Sequence, residues 1–181
     1  GIADLCGNIW EWVAGLRTVN GEIQIIPYGN SMKADCNMSA TSTEWKAIMP
    51  NGTLVAPGTA GTLKYDGESA SGAPRINTTV EFKPTGDGYY HRQFGTLPAK
   101  TGVDIPPMMK ALGLAPIADY EYGNGEFFIR PQEAERLPVR GAGWGVAANA
   151  GVAALSLHHP RTSSYRGVGF RAAFYEKLQT V

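Results

Sequence analysis

The chain has 181 residues, and its 16 basic and 16 acidic side chains cancel to a formal net charge of zero. That balance argues against the electrostatic footprint of a nucleic-acid or anionic-membrane binder, and no apolar run reaches membrane-spanning length. With Gly 23, Pro 12 and 10% aromatic residues, the composition favours short strands and many loops over a helical bundle. The length suits a single domain, residues 1–181, with a real core.

In chain order, Ile9 to Val13 is apolar and aromatic and reads as a core strand. Glu22 to Pro27 alternates after Asn20-Gly21, a strong hairpin-turn pair. Ser42 to Met49, with Trp45, reads as a short helix, and Asn51-Gly52 opens a hairpin into Thr53-Leu54-Val55. Ala56 to Pro74 is rich in small and turn residues and reads as loop around one short strand, Thr62 to Tyr65. Ile76 to Phe82 alternates and reads as a strand. Tyr89-Tyr90-His91-Arg92 reads as a solvated loop tip, and Asp87-Gly88 and Asn124-Gly125-Glu126 as turns. The best helix is Ile105 to Leu114, with Pro106 and Pro107 in its first turn and Gly113 as its stop. Phe127 to Arg130 is a short buried strand; Leu137 to Gly141 and Val168 to Phe174 are closing strands. Gly1 is expected to be a processed start, with no secretory leader pattern after it. Cys6 and Cys36 allow one disulfide at most, and Cys6 reads as a buried free thiol.

The most informative stretch is Arg140 to Ala173, RGAGWGVAANAGVAALSLHHPRTSSYRGVGFRAA. Its skeleton is apolar and small, with Trp144, Leu155, Leu157 and Phe170 assigned to the core. Threaded through it is a set of surface-type residues: Gly143, Gly145, Val146, Ser156, His158, His159, Ser164, Tyr165 and Arg166. No Lys, Glu, Gln, Met or Asp occurs in the segment. In Leu155-Ser156-Leu157-His158 the leucines should face inward and Ser156 and His158 outward. A rigid frame with an arbitrary set of contact residues points to binding rather than catalysis.

This segment resembles the variable region of proteins diversified by diversity-generating retroelements. It shares with that family's pattern Arg140, Gly141, Trp144, Asn149, Ala150, Gly151, Val152, Leu155, Leu157, Arg161, Gly169, Phe170 and Arg171. Where the family's template carries Asn codons, this chain has Gly145, Val146, Ser156, His158 and His159. Randomising the adenines of an AAC codon cannot yield Lys, Glu, Gln, Met or Trp, and these positions obey that restriction. A second resemblance lies at the N-terminus: GIADLCGNIWEWVAGLR is similar to the D-L-x-G-N-V-W-E-W motif of the formylglycine-generating-enzyme (sulfatase-modifying factor) family. That family also carries R-G-G-x-W and a closing G-F-R. Together the resemblances imply an α+β chain with the C-type lectin fold in its formylglycine-generating-enzyme-like variant. On that basis 18–138 would be an insertion or embellishment and 140–173 the variable ligand-binding region.

The chemistry of the alternatives is weaker. The oxidase activity of the enzyme family needs cysteines after the R-G-G motif, and residues 140–181 contain none. His158-His159 lacks a suitably spaced third ligand, so contact residues are favoured over a metal site. Ser156 near His158 has no oxyanion motif beside it. The E-P-N or Q-P-D and W-N-D strings of calcium-dependent lectins are absent. The reading is therefore a non-enzymatic receptor-binding protein, with no catalytic residues, cofactor or metal. Its expected partner is a host-surface protein or glycan, without nucleic acid or membrane insertion, and its expected place a phage tail, virion or bacterial cell surface. The alternative is a catalytically inactive or altered sulfatase-modifying-factor-type domain.

Overall fold

A computed structural model describes residues 6–131 and 134–170. Its framework is two sheets of six strands each. The first sheet contains β1 (Trp10–Trp12), β8 (Tyr90–Gln93), β9 (Glu126–Ile129), β10 (Leu137–Gly141), β11 (Gly151–His159) and β12 (Val168–Gly169), in the order β12-β1-β10-β11-β9-β8. The second contains β2 (Leu16–Val19), β3 (Glu22–Ile25), β4 (Lys46–Ile48), β5 (Leu54–Val55), β6 (Lys64–Gly67) and β7 (Pro74–Asn77). It runs β5-β4-β3-β6-β7, with β2 on the other edge of β3. The described residues are 31% strand and 10% helix, and their sole α-helix is α1 (Pro107–Ala111). The α+β assignment is therefore corrected to mostly β. The Gly, Pro and aromatic content that favours short strands leaves few residues for helices.

The first sheet is mixed. β1 pairs antiparallel with β10 but parallel with β12, and β11 pairs antiparallel with β10 but parallel with β9. The expected closing strands do meet β1 here, with β12 confined to two residues; positions 171–174 of the expected strand lie outside the described residues. The span 18–138 is not a separate embellishment on this sheet. It builds most of the second sheet and also supplies β8 and β9 to the first.

Two hairpins form where local turn chemistry dictates. Asn20 and Gly21 both take positive φ, 48° and 79°, matching the right-handed twist of β2 and β3. A Cβ at Gly21 would stand 2.7 Å from the Tyr65 carbonyl oxygen, so the turn also needs glycine for clearance. At the second, Asn51 Oδ1 accepts the Thr53 amide and Gly52 takes φ 85°, which closes β4 onto β5.

Other expectations shift. Ser42 to Met49 is not helical: Ala47 and Ile48 are fully buried in β4, where pairing with β3 outweighs local propensity. Trp45 is buried too, its indole donating to the Ser39 carbonyl and the Arg17 guanidinium lying 4.4 Å from its ring centre. The strand at Ile76 stops at Asn77, because the amides of Glu81 and Phe82 turn aside to the buried Asp66 carboxylate. That carboxylate also accepts from Arg75 and Asn77. The helix expected over Ile105 to Leu114 is shorter, confined to Pro107–Ala111, and Gly113 at φ 64° lies just past its end. Cys6 and Cys36 are free thiols, but Cys6 is exposed rather than buried, on the bend before β1.

The core lies between the sheets. Ala153, Leu155 and Leu157 of β11 and Phe127 and Ile129 of β9 pack with Ile23, Ile48, Leu63, Tyr65 and Ile76 of the second sheet and its loops. Tyr65 meets Phe127 edge-on at 4.9 Å and donates its hydroxyl to the Leu114 carbonyl. Trp144 and Phe170, assigned to the core from sequence, are not in it: they are 77% and 81% exposed. Gly141 and Ala142 both take positive φ, 87° and 64°, which turns the chain out of β10 before Trp144 and leaves that side chain outside. Phe170 follows a two-residue edge strand with no strand beyond it in the sheet.

Leu157→Ala should therefore cost about 2–5 kcal/mol, as truncation in a packed core does, whereas Trp144→Ala should change stability by no more than about 0.5 kcal/mol. Urea unfolding of the two variants checks the contrast.

Candidate functional site

Cross-strand register builds one continuous row over the outer face of the first sheet. Trp12 stands opposite Val139, Val139 opposite Ser156, Ser156 opposite Phe128, and Phe128 opposite His91. Directly opposed residues share a face, so residues from five strands converge on one surface. The neighbouring row, Glu11, Arg140, Leu155, Phe127 and Arg92, faces the other way.

The outer row carries a band of touching rings. Phe128 lies at its centre, 6.2 Å from Trp10, 5.5 Å from Tyr89, 5.9 Å from His91 and 5.9 Å from His158. Tyr89 stacks on His158 at 5.3 Å. His159 extends the band to Trp12 at 6.1 Å and to Tyr165 at 5.5 Å. Such contacts add to simple area burial and hold the rings in fixed orientations.

The two histidines lie side by side, with ring centres 3.9 Å apart. Adjacent residues on a regular strand would point to opposite faces. Here the register slips between Leu137↔His159 and Val139↔Ser156: three steps on β11 match two on β10. That extra residue is a β-bulge, which re-aims the chain at its end. Nothing in the residue types of Leu157-His158-His159 signals it.

The sequence-derived site residues divide into two groups. Ser156, His158, His159 and Tyr165 are brought together: Ser156 Oγ lies 2.7 Å from His158 Nδ1, and Tyr165 Oη 3.3 Å from His159 Nε2. Gly143 adjoins the band, since a Cβ there would meet Trp10 at 3.3 Å. Gly145, Ser164 and Arg166 are exposed and Val146 is half-buried. The Val146 amide donates to the Gly143 carbonyl at 3.0 Å; no side-chain hydrogen bond or ring contact among the described residues ties these four to the cluster.

Exposure also departs from expectation. Ser156 is 0% exposed, and Gly143 and His159 are buried. Ser156 does share the outer face with His158, but Phe128 and Val139 flank it there. The surface presented to solvent is set by Tyr89, 48% exposed, Tyr165, 44% exposed, and His91 beside them. Phe128 is absent from the sequence-derived set, and Tyr89 and His91 are read there as a solvated loop tip in preference to a polar-aromatic contact patch. The alternation in Tyr90-His91-Arg92-Gln93 marks a strand with His91 outward, which the loop-tip reading passes over.

Burial holds both imidazoles neutral. Desolvation, then neighbouring His159, Arg130 and Arg136, takes His158 from 6.5 down to about 3. Desolvation, then Arg136, takes His159 to about 4. An imidazole with so low a pKa is a poor general base, and no carboxylate among the described residues is hydrogen-bonded to it, so the close Ser156–His158 pair is unsuited to activating a nucleophile. Among the described residues no group of three or more His, Cys, Asp or Glu is placed to hold a metal ion. No described helix is long and apolar enough to cross a membrane. No family model matches the chain, and no curated protein matches it either.

The neutral histidines set the acid response. Their folded pKa values lie below the unfolded value of 6.5. Below pH 6.5 the unfolded chain therefore takes up protons that the folded chain refuses, and stability falls as pH drops toward 4; above pH 6.5 the effect vanishes. Glu135 adds to the loss only in the carboxylate range: burial raises its pKa, but hydrogen bonds from Arg161 and Arg17 outweigh that and lower it overall. Melting temperatures between pH 7.5 and 5 should fall for the native chain. They should stay nearly level for the His158→Gln, His159→Gln double variant.

Proposed function

We propose that the outer face of the first sheet is a ligand-binding surface, and that the segment 140–173 is its diversified part. The observation that supports this best is the aromatic band. Tyr89, His91, Phe128, His158, His159 and Tyr165 form one ring-lined surface, and Gly145, Ser164 and Arg166 are exposed. Tyr and Arg are the residue types that dominate binding hot spots. Rigid rings also lose little conformational entropy when they bind. Low-pKa histidines and the absence of cysteine from 140–181 favour recognition without catalysis.

On this reading the protein is a retroelement-diversified receptor binder carried on a phage tail or bacterial surface, and its ligand is a host-surface protein or glycan. The variable positions tune contact, while Tyr89, His91 and Phe128 form a constant platform beneath and beside them. A constant platform explains how variable residues can change without the site losing its hydrophobic anchor.

Two measurements test the proposal. The gene should lie near a reverse-transcriptase gene and a near-copy of the 140–173 coding segment that differs at adenines. The combined Tyr89→Ala, Tyr165→Ala, Arg166→Ala variant should lose binding to host cells by at least about 100-fold, the loss expected of removed hot spots. Its melting temperature should stay within a few degrees of the native chain's. Unchanged cell binding, or binding by neither protein together with a gene neighbourhood lacking both elements, would overturn the assignment.

A further inference from the structure

A separate cavity of about 310 Å³ opens on the other side of the first sheet. The β1–β2 turn (Val13 to Gly15), the end of β3, Leu54 of β5 and the helix residues Met108 and Leu112 line it. Its wall is apolar apart from Ser31, Tyr28 and one charged side chain, Arg140. The volume falls in the range of small-molecule sites, which combine an apolar wall with few polar groups.

Arg140 is the unusual member. It belongs to the inward row of the sheet, beside Leu155, and desolvation lowers its pKa. Its Nη2 donates to the carbonyls of Gly113 and Leu112, at 2.8 and 3.4 Å. The close approach depends on Gly113, where a Cβ would stand 3.3 Å from Nη2. No ion pair among the described residues involves Arg140, although Glu11 stands opposite it in the strand register. Among the described residues its Nε and Nη1 have no acceptor, and neither is a fully sealed atom. They remain accessible, and Nη1, which carries two N–H groups, can donate a charge-assisted hydrogen bond to a carboxylate oxygen.

We propose that this cavity binds a small organic carboxylate with an apolar tail, the carboxylate on Nη1 of Arg140 and the tail against Leu54, Met108 and Leu112. A partly desolvated cation without a counter-charge is costly to keep, and an anionic ligand supplies the missing charge. The site is independent of the aromatic face, so its failure leaves the display reading untouched.

Calorimetric titration of the full chain at pH 7.5 with octanoate and with 1-octanol tests it. Octanoate should bind at least about tenfold more tightly than the alcohol and raise the melting temperature. The Arg140→Gln variant should abolish the difference between the two probes. The Met108→Trp variant, which fills the cavity, should bind neither. Equal binding of the two probes by the native chain, no binding of octanoate, or undiminished octanoate binding by Met108→Trp would overturn the assignment. If Arg140→Gln does not fold, the comparison of probes on the native chain decides.

Discussion

Strand β11 is sheathed on both faces, and that double burial governs the rest of the architecture. Toward the second sheet, Ala153, Leu155 and Leu157 belong to the main core. On the outer side, Ser156 and His158 lie beneath or within the aromatic band. A strand confined this way cannot slip in register, because a one-residue shift would drive imidazole and hydroxyl groups into the core. The flanking strands β9 and β10 inherit that fixed position, and the outer row of rings is therefore held by the same packing that holds the fold.

Electrostatics follow a complementary rule. Several acidic residues are used internally: Glu22 accepts from Thr62, Gln24 and the Gly58 amide, and Asp66 gathers Arg75, Asn77 and two backbone amides. These buried carboxylates are satisfied by several donors, the condition under which buried charge is tolerated. The outer face is instead built of rings and neutral imidazoles, with Glu126 near His91 as the carboxylate at its edge. Under the binding role proposed above, such a surface would act by shape and stacking more than by long-range attraction.

Much of this was legible where the signal is local. Asn20-Gly21 and Asn51-Gly52 specify hairpins through their own backbone preferences, and the alternation of Leu155 and Leu157 correctly gave the inward side of β11. Alternation cannot say whether the opposite side is covered. Ser156 is buried because Phe128 and Val139, distant from it in the chain, are brought to either side of it. Trp144 was misplaced for a different reason: the left-handed conformation of Ala142 is imposed by the fold, and alanine does not advertise it. The neighbouring histidines share a face only through the bulge, which depends on how β10 is paired. Ser42 to Met49 shows the general case, in which a tertiary strand position overrode a plausible helix.

One ion-pair cluster described by its geometry alone has a wider meaning. Glu135 accepts Arg17 from β2 at 2.9 Å and both Nε and Nη2 of Arg161 at 2.9 Å. Arg161 lies inside the segment proposed above to be diversified, between the histidines and the exposed Ser164 to Arg166. The segment is thus moored through Glu135 to Arg17 of the second sheet. On either side of that mooring the loop and β11 still meet, because Tyr165 Oη lies 3.3 Å from His159 Nε2, with the two ring centres 5.5 Å apart. A change at one of these two positions is therefore felt at the other through a side-chain contact, while the backbone between them stays anchored at Arg161.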